Sequence, residues 1–202
     1  MFDHWLRQLK DRWLAPCSRM LGPRVSPFSI SLVAFLFGIA AAVVAYGGYN
    51  IGALVAWLIN RTLDGLDGTH ARVHNRQSDF GGYLDIMLDF VVYAAIPSAL
   101  AAASNQPALL LATIFLLATF FVNAASQMYL AAILEQRARG AGARGELTTI
   151  TMPSALIAGT ETVIFYSLFL AIPSWRPVMF WSMGLLVCVN IVQRLWWAKG
   201  RL

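Results

Sequence analysis

Four aspartates embedded in apolar sequence, Asp64, Asp67, Asp85 and Asp89, are the residues best placed to do chemistry. Asp64 and Asp67 stand three residues apart, and Asp85 and Asp89 four apart, so on a helix each pair shares a face. An ionised carboxylate at the centre of a membrane helix costs about 2.5–3.5 kcal/mol even on the lenient insertion scale. Such a set is tolerable near a helix end, in a polar cavity, or neutralised by a cation. Carboxylates with no His or Cys partner form a hard-oxygen donor set, which suits Mg²⁺ or Mn²⁺. With two ions, the set can clamp the oxygens of a phosphoryl group in transit. Gly65, Gly68 and Ala71, then Gly81 and Gly82, surround the acids with small residues, which let helices or a ligand approach the backbone. Arg72 is placed to offer a planar guanidinium to a phosphate. The charge rule of membrane topology is the other reading of Arg72, and applies more strongly to Arg76.

The elements that must position these residues follow from composition. The chain has 202 residues, 58% of them hydrophobic and 12% charged, with a mean hydropathy of +0.62. A soluble domain is nearer 45–50% apolar and about 25% charged, which argues against a soluble enzyme. The formal charge of +5 suits anionic lipid headgroups rather than nucleic acid. Cys17 and Cys188 lie at opposite ends, so neither a disulfide framework nor a zinc site follows. No charged residue occurs between Arg24 and Arg61, or between Asp89 and Glu135. Each run exceeds the roughly 20 residues of one crossing and is divided by a turn signal, Gly47-Gly48-Tyr49-Asn50 or Ser104-Asn105-Gln106-Pro107.

The pattern predicts an all-α integral membrane protein with six transmembrane helices, at about 28–47, 51–73, 80–103, 107–136, 152–172 and 176–197. Before them, Phe2, Trp5, Leu6, Leu9 and Trp13 recur at helical spacing among charged residues, as in an amphipathic helix lying in the headgroups. The expected organisation is an interfacial helix and linker over 1–22 and a six-helix catalytic domain over 23–202. Lys and Arg gather before the first helix, in the second and fourth connections and at the C-terminus. The positive-inside rule then makes both termini and the aspartate end cytoplasmic, in a bacterial or archaeal cell membrane.

Residues 64–89 read DGLDGTHARVHNRQSDFGGYLDIMLD. This resembles the signature of the CDP-alcohol phosphatidyltransferase family, Asp-x2-Asp-Gly-x2-Ala-Arg-x8-Gly-x3-Asp-x3-Asp, with every fixed position filled. The resemblance implies transfer of a phosphatidyl group from CDP-diacylglycerol to an alcohol, with release of CMP. The acceptor expected is a phosphorylated polyol such as glycerol 3-phosphate or inositol phosphate. By position in that motif, Asp64 and Asp85 would bridge two Mg²⁺ or Mn²⁺ ions and Asp67 would ligate the first. Asp89 would touch the second and act as general base. Gly68, Ala71 and Arg72 would line the CDP site, and Ser78 would contact the donor phosphates. The resemblance also implies a homodimer. The family often opens its first helix with Pro-Asn-x2-Thr; here Pro27 and the Ser31 hydroxyl remain, but Phe28 replaces the amide. Ser31 is the candidate nucleotide contact from that stretch.

Other polar residues carry two readings each. Glu161 is an intramembrane acid that can bind an acceptor or make a buried hydrogen bond. Asn60 can support the metal ligands or bridge two helices. Arg137, Arg139, Arg144 and Arg194 can form a basic pocket for a phosphorylated acceptor, while topology accounts for the first three. His70 and His74 are not assigned to metal. A divalent-cation channel or transporter is the alternative function. It calls for acids along a path and for repeated halves, whereas these acids cluster at one end and the motif has no second copy.

Overall fold

The computed structural model describes residues 13–137, 157, 159–200 and 202. Its described elements are all helical. A short helix α1 (13–21) precedes Ser26, whose hydroxyl accepts a 3.0 Å hydrogen bond from the Ser29 amide. That cap, with proline at the first helical position, starts α2 (Pro27–Tyr46). Gly48, at φ +83°, turns the chain into α3 (Asn50–Val73). Asn75 adopts a left-handed φ of 51°, and the Arg76 amide reaches back 2.8 Å to the Ala71 carbonyl. Such a Schellman closure ends a helix within one residue. The Ser78 hydroxyl then accepts from the Gly81 amide at 3.1 Å and starts α4 (Asp79–Ala102). The chain continues through α5 (Pro107–Gln136), α6 (Gly159–Ala171), a 3₁₀ turn (Pro173–Trp175) and α7 (Arg176–Lys199).

The expected boundaries of the first four spans fall within one residue of α2 to α5. Among the described residues, four segments are long and apolar enough to cross a membrane: Pro27–Tyr46, Asp79–Ala102, Pro107–Gln136 and Pro173–Lys199. The protein is thus a multi-pass membrane protein. The other two of the six expected spans are not among these four. α3 has the length, but from Asn60 onward it carries Asn60, Arg61, Asp64, Asp67, His70 and Arg72. α6 runs 13 residues from Gly159, and the expected beginning of that span lies largely outside the described residues. The interfacial helix also lies there, except for its last residues, Trp13 and Leu14.

The described helices form two compact units. The first holds α1 to α4 together with residues 166–173, the end of α6 and the start of the turn after it. Within it α2 packs on both α3 and α4, through a buried row of small residues, Ala34, Gly38, Ala41, Ala42 and Ala45. Gly38 is the tightest point. A Cβ there would lie 2.5 Å from Val92 of α4 and 3.0 Å from Asn60 of α3, so glycine lets α2 sit against both aspartate-bearing helices. α3 and α4 meet through long side chains, Trp57 and Arg61 against Tyr93 and Asp89. The sequence pattern does not show this role of α2.

The C-terminal end of α3 is tied to the segment before α2. His70 is fully buried, one ring nitrogen 3.0 Å from Ser18 Oγ and the other 3.0 Å from the Val25 carbonyl. Arg76 donates to the Pro23 carbonyl at 2.8 Å. Both ring nitrogens of His70 are therefore engaged within the protein.

In the second unit, α5 packs on α7. Phe115 stacks on Trp181 with centroids 4.4 Å apart, over Gly184, where a Cβ would lie 2.5 Å from the Phe115 ring. The Asn190 amide clamps the backbone of residue 157, accepting from its N–H at 3.3 Å and donating to its carbonyl at 2.9 Å.

Candidate metal and phosphate site

Asp64 and Asp67 lie one turn apart in the last half of α3, and Asp85 lies in the second turn of α4. Each offers a carboxylate oxygen, and the three oxygens lie within 4.8 Å of one another. Asp67 is only 6% exposed, so its charge requires compensation from neighbours or a cation. Three oxygen donors converging without imidazole or thiol fit a hard divalent ion such as Mg²⁺ or Mn²⁺.

Ser31 reaches this group from α2. Its hydroxyl lies 2.5 Å from Asp67 Oδ2 and 3.1 Å from the Pro27 carbonyl. The single proton serves one acceptor at a time, and the carboxylate is the nearer. Ser31 was expected to touch nucleotide, and here it orients a carboxylate. Its place one turn into α2 brings the Pro27–Ser31 stretch to the aspartates.

Asp89, expected among the metal ligands, stands outside the group of three. Its Oδ1 accepts from Arg61 Nη2 at 2.7 Å, and Arg61 Nη1 lies 3.6 Å from Asp64 Oδ2. A guanidinium thus joins the two ends of the aspartate set. Arg61 also donates to Tyr93 Oη at 2.9 Å and to Asn60 Oδ1 at 2.7 Å. It lies over the rings of Trp57 and Tyr93, 4.8 and 5.2 Å from their centroids. Asn60 in turn donates to the Ala34 carbonyl at 2.7 Å, so it both bridges α2 to α3 and holds Arg61.

Sequence reasoning passed over Arg61, which stood only as the end of a charge-free run. An arginine three residues before an aspartate in a membrane-depth helix was the available signal, since such charges pair inside a protein. The aromatic floor beneath it has a backbone cause. Pro97 has no N–H for the Tyr93 carbonyl four residues earlier, and Tyr166 Oη donates to that carbonyl at 2.6 Å. Tyr166 stacks on Trp57 at 5.1 Å, and Trp57 Nε1 donates to Ser167 at 3.2 Å.

The remaining candidates lie as follows. Gly68 is bare beside Arg72; a Cβ there would lie 3.3 Å from Arg72 Nη1. Ala71 and Arg72 are half-buried, in the last turn of α3. Ser78 is exposed and occupied as the cap of α4, next to Gly81. Glu161 sits in the first turn of α6. In the second unit, Arg194 is buried and donates to the Asn123 carbonyl at 3.0 Å. Arg137 donates to the Leu202 carbonyl at 2.6 Å, while Arg139 and Arg144 lie outside the described residues.

Comparison with known proteins places this arrangement. A family model described as CDP-alcohol phosphatidyltransferase matches residues 24–193. Inner membrane protein YnjF of Escherichia coli (strain K12) is 33% identical over 198 residues, 97% of this chain and 94% of that protein. A bifunctional IPC transferase and DIPP synthase of Aquifex aeolicus is 38% identical over 95 residues, 47% of this chain but only 22% of that protein. Among solved structures, the Mycobacterium tuberculosis phosphatidylinositol phosphate synthase PgsA1 with CDP-DAG bound superposes with a TM-score of 0.71 at 20% identity, over 91% of this chain and 92% of that one. Its complex with manganese and citrate gives 0.70 at 21% identity, over 92% and 88%. At that identity the likeness is one of fold. The motif from Asp64 to Asp89, the match over most of the chain and the full-length relative agree: the chain belongs to the CDP-alcohol phosphatidyltransferase family.

Proposed function

We propose that this chain transfers the phosphatidyl group of CDP-diacylglycerol to an alcohol acceptor and releases CMP. The observation that carries this reading is the convergence of Asp64, Asp67 and Asp85 in a multi-pass membrane chain of this family. Bound divalent ions, Mg²⁺ or Mn²⁺, would offset the charge of the pyrophosphate and stabilise the leaving CMP. Asp64, Asp67 and Asp85 would hold them, with Ser31 keeping Asp67 in its rotamer. The bare surface at Gly68, with Ala71 and Arg72, would receive the CDP moiety, and Ser78 would contact the donor phosphates. Asp89 would take the proton of the acceptor hydroxyl. As the acceptor oxygen bonds to the phosphatidyl phosphorus, the bond from that phosphorus to the CMP oxygen breaks. CMP leaves with the electron pair.

The acceptor proposed is a phosphorylated polyol, glycerol 3-phosphate or inositol phosphate. The name of the solved structural neighbour, a phosphatidylinositol phosphate synthase, supports the second. Purified protein with CDP-diacylglycerol and Mn²⁺ or Mg²⁺ is expected to release CMP only when an acceptor is added. The lipid product then identifies the acceptor. Release of CMP with no acceptor, or none with any of them, would reject this reading.

Six crossings with the aspartate end and both termini cytoplasmic complete the proposal. The arginines and lysines at that end support it. Single cysteines at residues 49 and 105 are then expected to react with an impermeant reagent from outside the cell. Protection of either until the membrane is opened would reject this topology.

A further inference from the structure

We infer that Arg61 is a built-in cation of the aspartate cluster: it holds Asp89 by one oxygen and makes the second divalent-ion position much weaker than the first. The inference rests on the metal-site reading above and goes beyond it.

The geometry separates the four acids into three and one. Asp64, Asp67 and Asp85 converge within 4.8 Å, while Asp89 is engaged by Arg61 Nη2 at 2.7 Å. The guanidinium cannot easily withdraw. Its side chain is 9% exposed, it is held by Asn60 and Tyr93, and it lies over Trp57 and Tyr93. Those two rings are backed by Tyr166, so the cation rests on a packed floor.

Charge arithmetic then sets the consequence. Four carboxylates bring four negative charges, and the guanidinium within 3.6 Å of Asp64 and 2.7 Å of Asp89 cancels one. A first divalent ion among the group of three cancels two more. A second ion therefore meets one net negative charge where it would meet two without Arg61, and it must compete for Asp89. Both effects weaken the second position, beside a guanidinium that is itself shielded from water. The same ion pair fixes the direction of the other Asp89 oxygen, so Arg61 is a positioning residue.

Mn²⁺ binding to the purified full chain in detergent, without nucleotide or lipid, tests this by calorimetry and by the loss of the free-ion electron paramagnetic resonance signal. The wild type is expected to bind one Mn²⁺ tightly and a second at least tenfold more weakly. Arg61→Gln is expected to tighten the second site at least tenfold. It should also lower kcat for CMP release, leaving KM for CDP-diacylglycerol in place. Arg61→Lys, which keeps the charge, should keep the two affinities apart. Should Arg61→Gln not fold, Tyr93→Phe removes one hydrogen bond holding the guanidinium and should shift the second affinity in the same direction by less. Two equal sites in the wild type, or a second site unmoved in the folded variants, would overturn the role of Arg61 and leave the metal site standing. Absence of any Mn²⁺ binding by the wild type would overturn both.

Discussion

Asp85→Asn, and separately Asp64→Asn, is expected to reduce CMP release by about 10³-fold or more, because metal-assisted charge stabilisation is worth several kcal/mol and each 1.36 kcal/mol is roughly tenfold in rate. The substitution keeps the side chain's shape and replaces one anionic oxygen by an N–H donor, which cannot ligate a cation. Both residues contribute an oxygen to the group of three, and they come from different helices. Either loss therefore opens the site on one side. Binding of the tight Mn²⁺ should fall together with turnover, while the helical content in detergent stays the same. A variant that kept near-normal turnover at saturating Mn²⁺ would refute metal assistance by this cluster.

The second large effect belongs to Asp89. Asp89→Asn is expected to lose about 10²–10⁴-fold in kcat, the usual worth of general-base assistance, with donor binding retained. The Asn carbonyl oxygen can still accept from Arg61 Nη2, the bond that Asp89 Oδ1 now receives at 2.7 Å. The local fold should survive while the basicity is lost. That separation makes the variant informative, since a structural defect would also weaken CDP-diacylglycerol binding. The check is a steady-state comparison of kcat and KM for the donor, with equilibrium binding of CDP-diacylglycerol measured alongside. Near-normal kcat at saturating metal would place proton removal on another group.

The sequence alone determined the features with short-range causes. Helix limits were legible because the turn signals Gly47-Gly48-Tyr49-Asn50 and Ser104-Asn105-Gln106-Pro107 act on the residues next to them. The sharing of a face by Asp64 and Asp67, and by Asp85 and Asp89, was legible because helical periodicity is local. Carboxylates in apolar surroundings then pointed to a cation, whatever the packing. Tertiary structure alone decided how the pairs meet. Asp89 parts from the other three because a guanidinium 28 residues away reaches it, and no spacing rule ties position 61 to position 89. Ser31 reaches Asp67 across 36 residues because Gly38 lets α2 approach both α3 and α4. The missing N–H of Pro97 was visible in the sequence, but the hydroxyl that satisfies the freed carbonyl comes from Tyr166, 73 residues beyond Tyr93. Residue type and spacing specified which groups would be charged and which way each helix would present them. The pairing of those charges depended on which helix stood between which, and that is set by close packing over the whole unit.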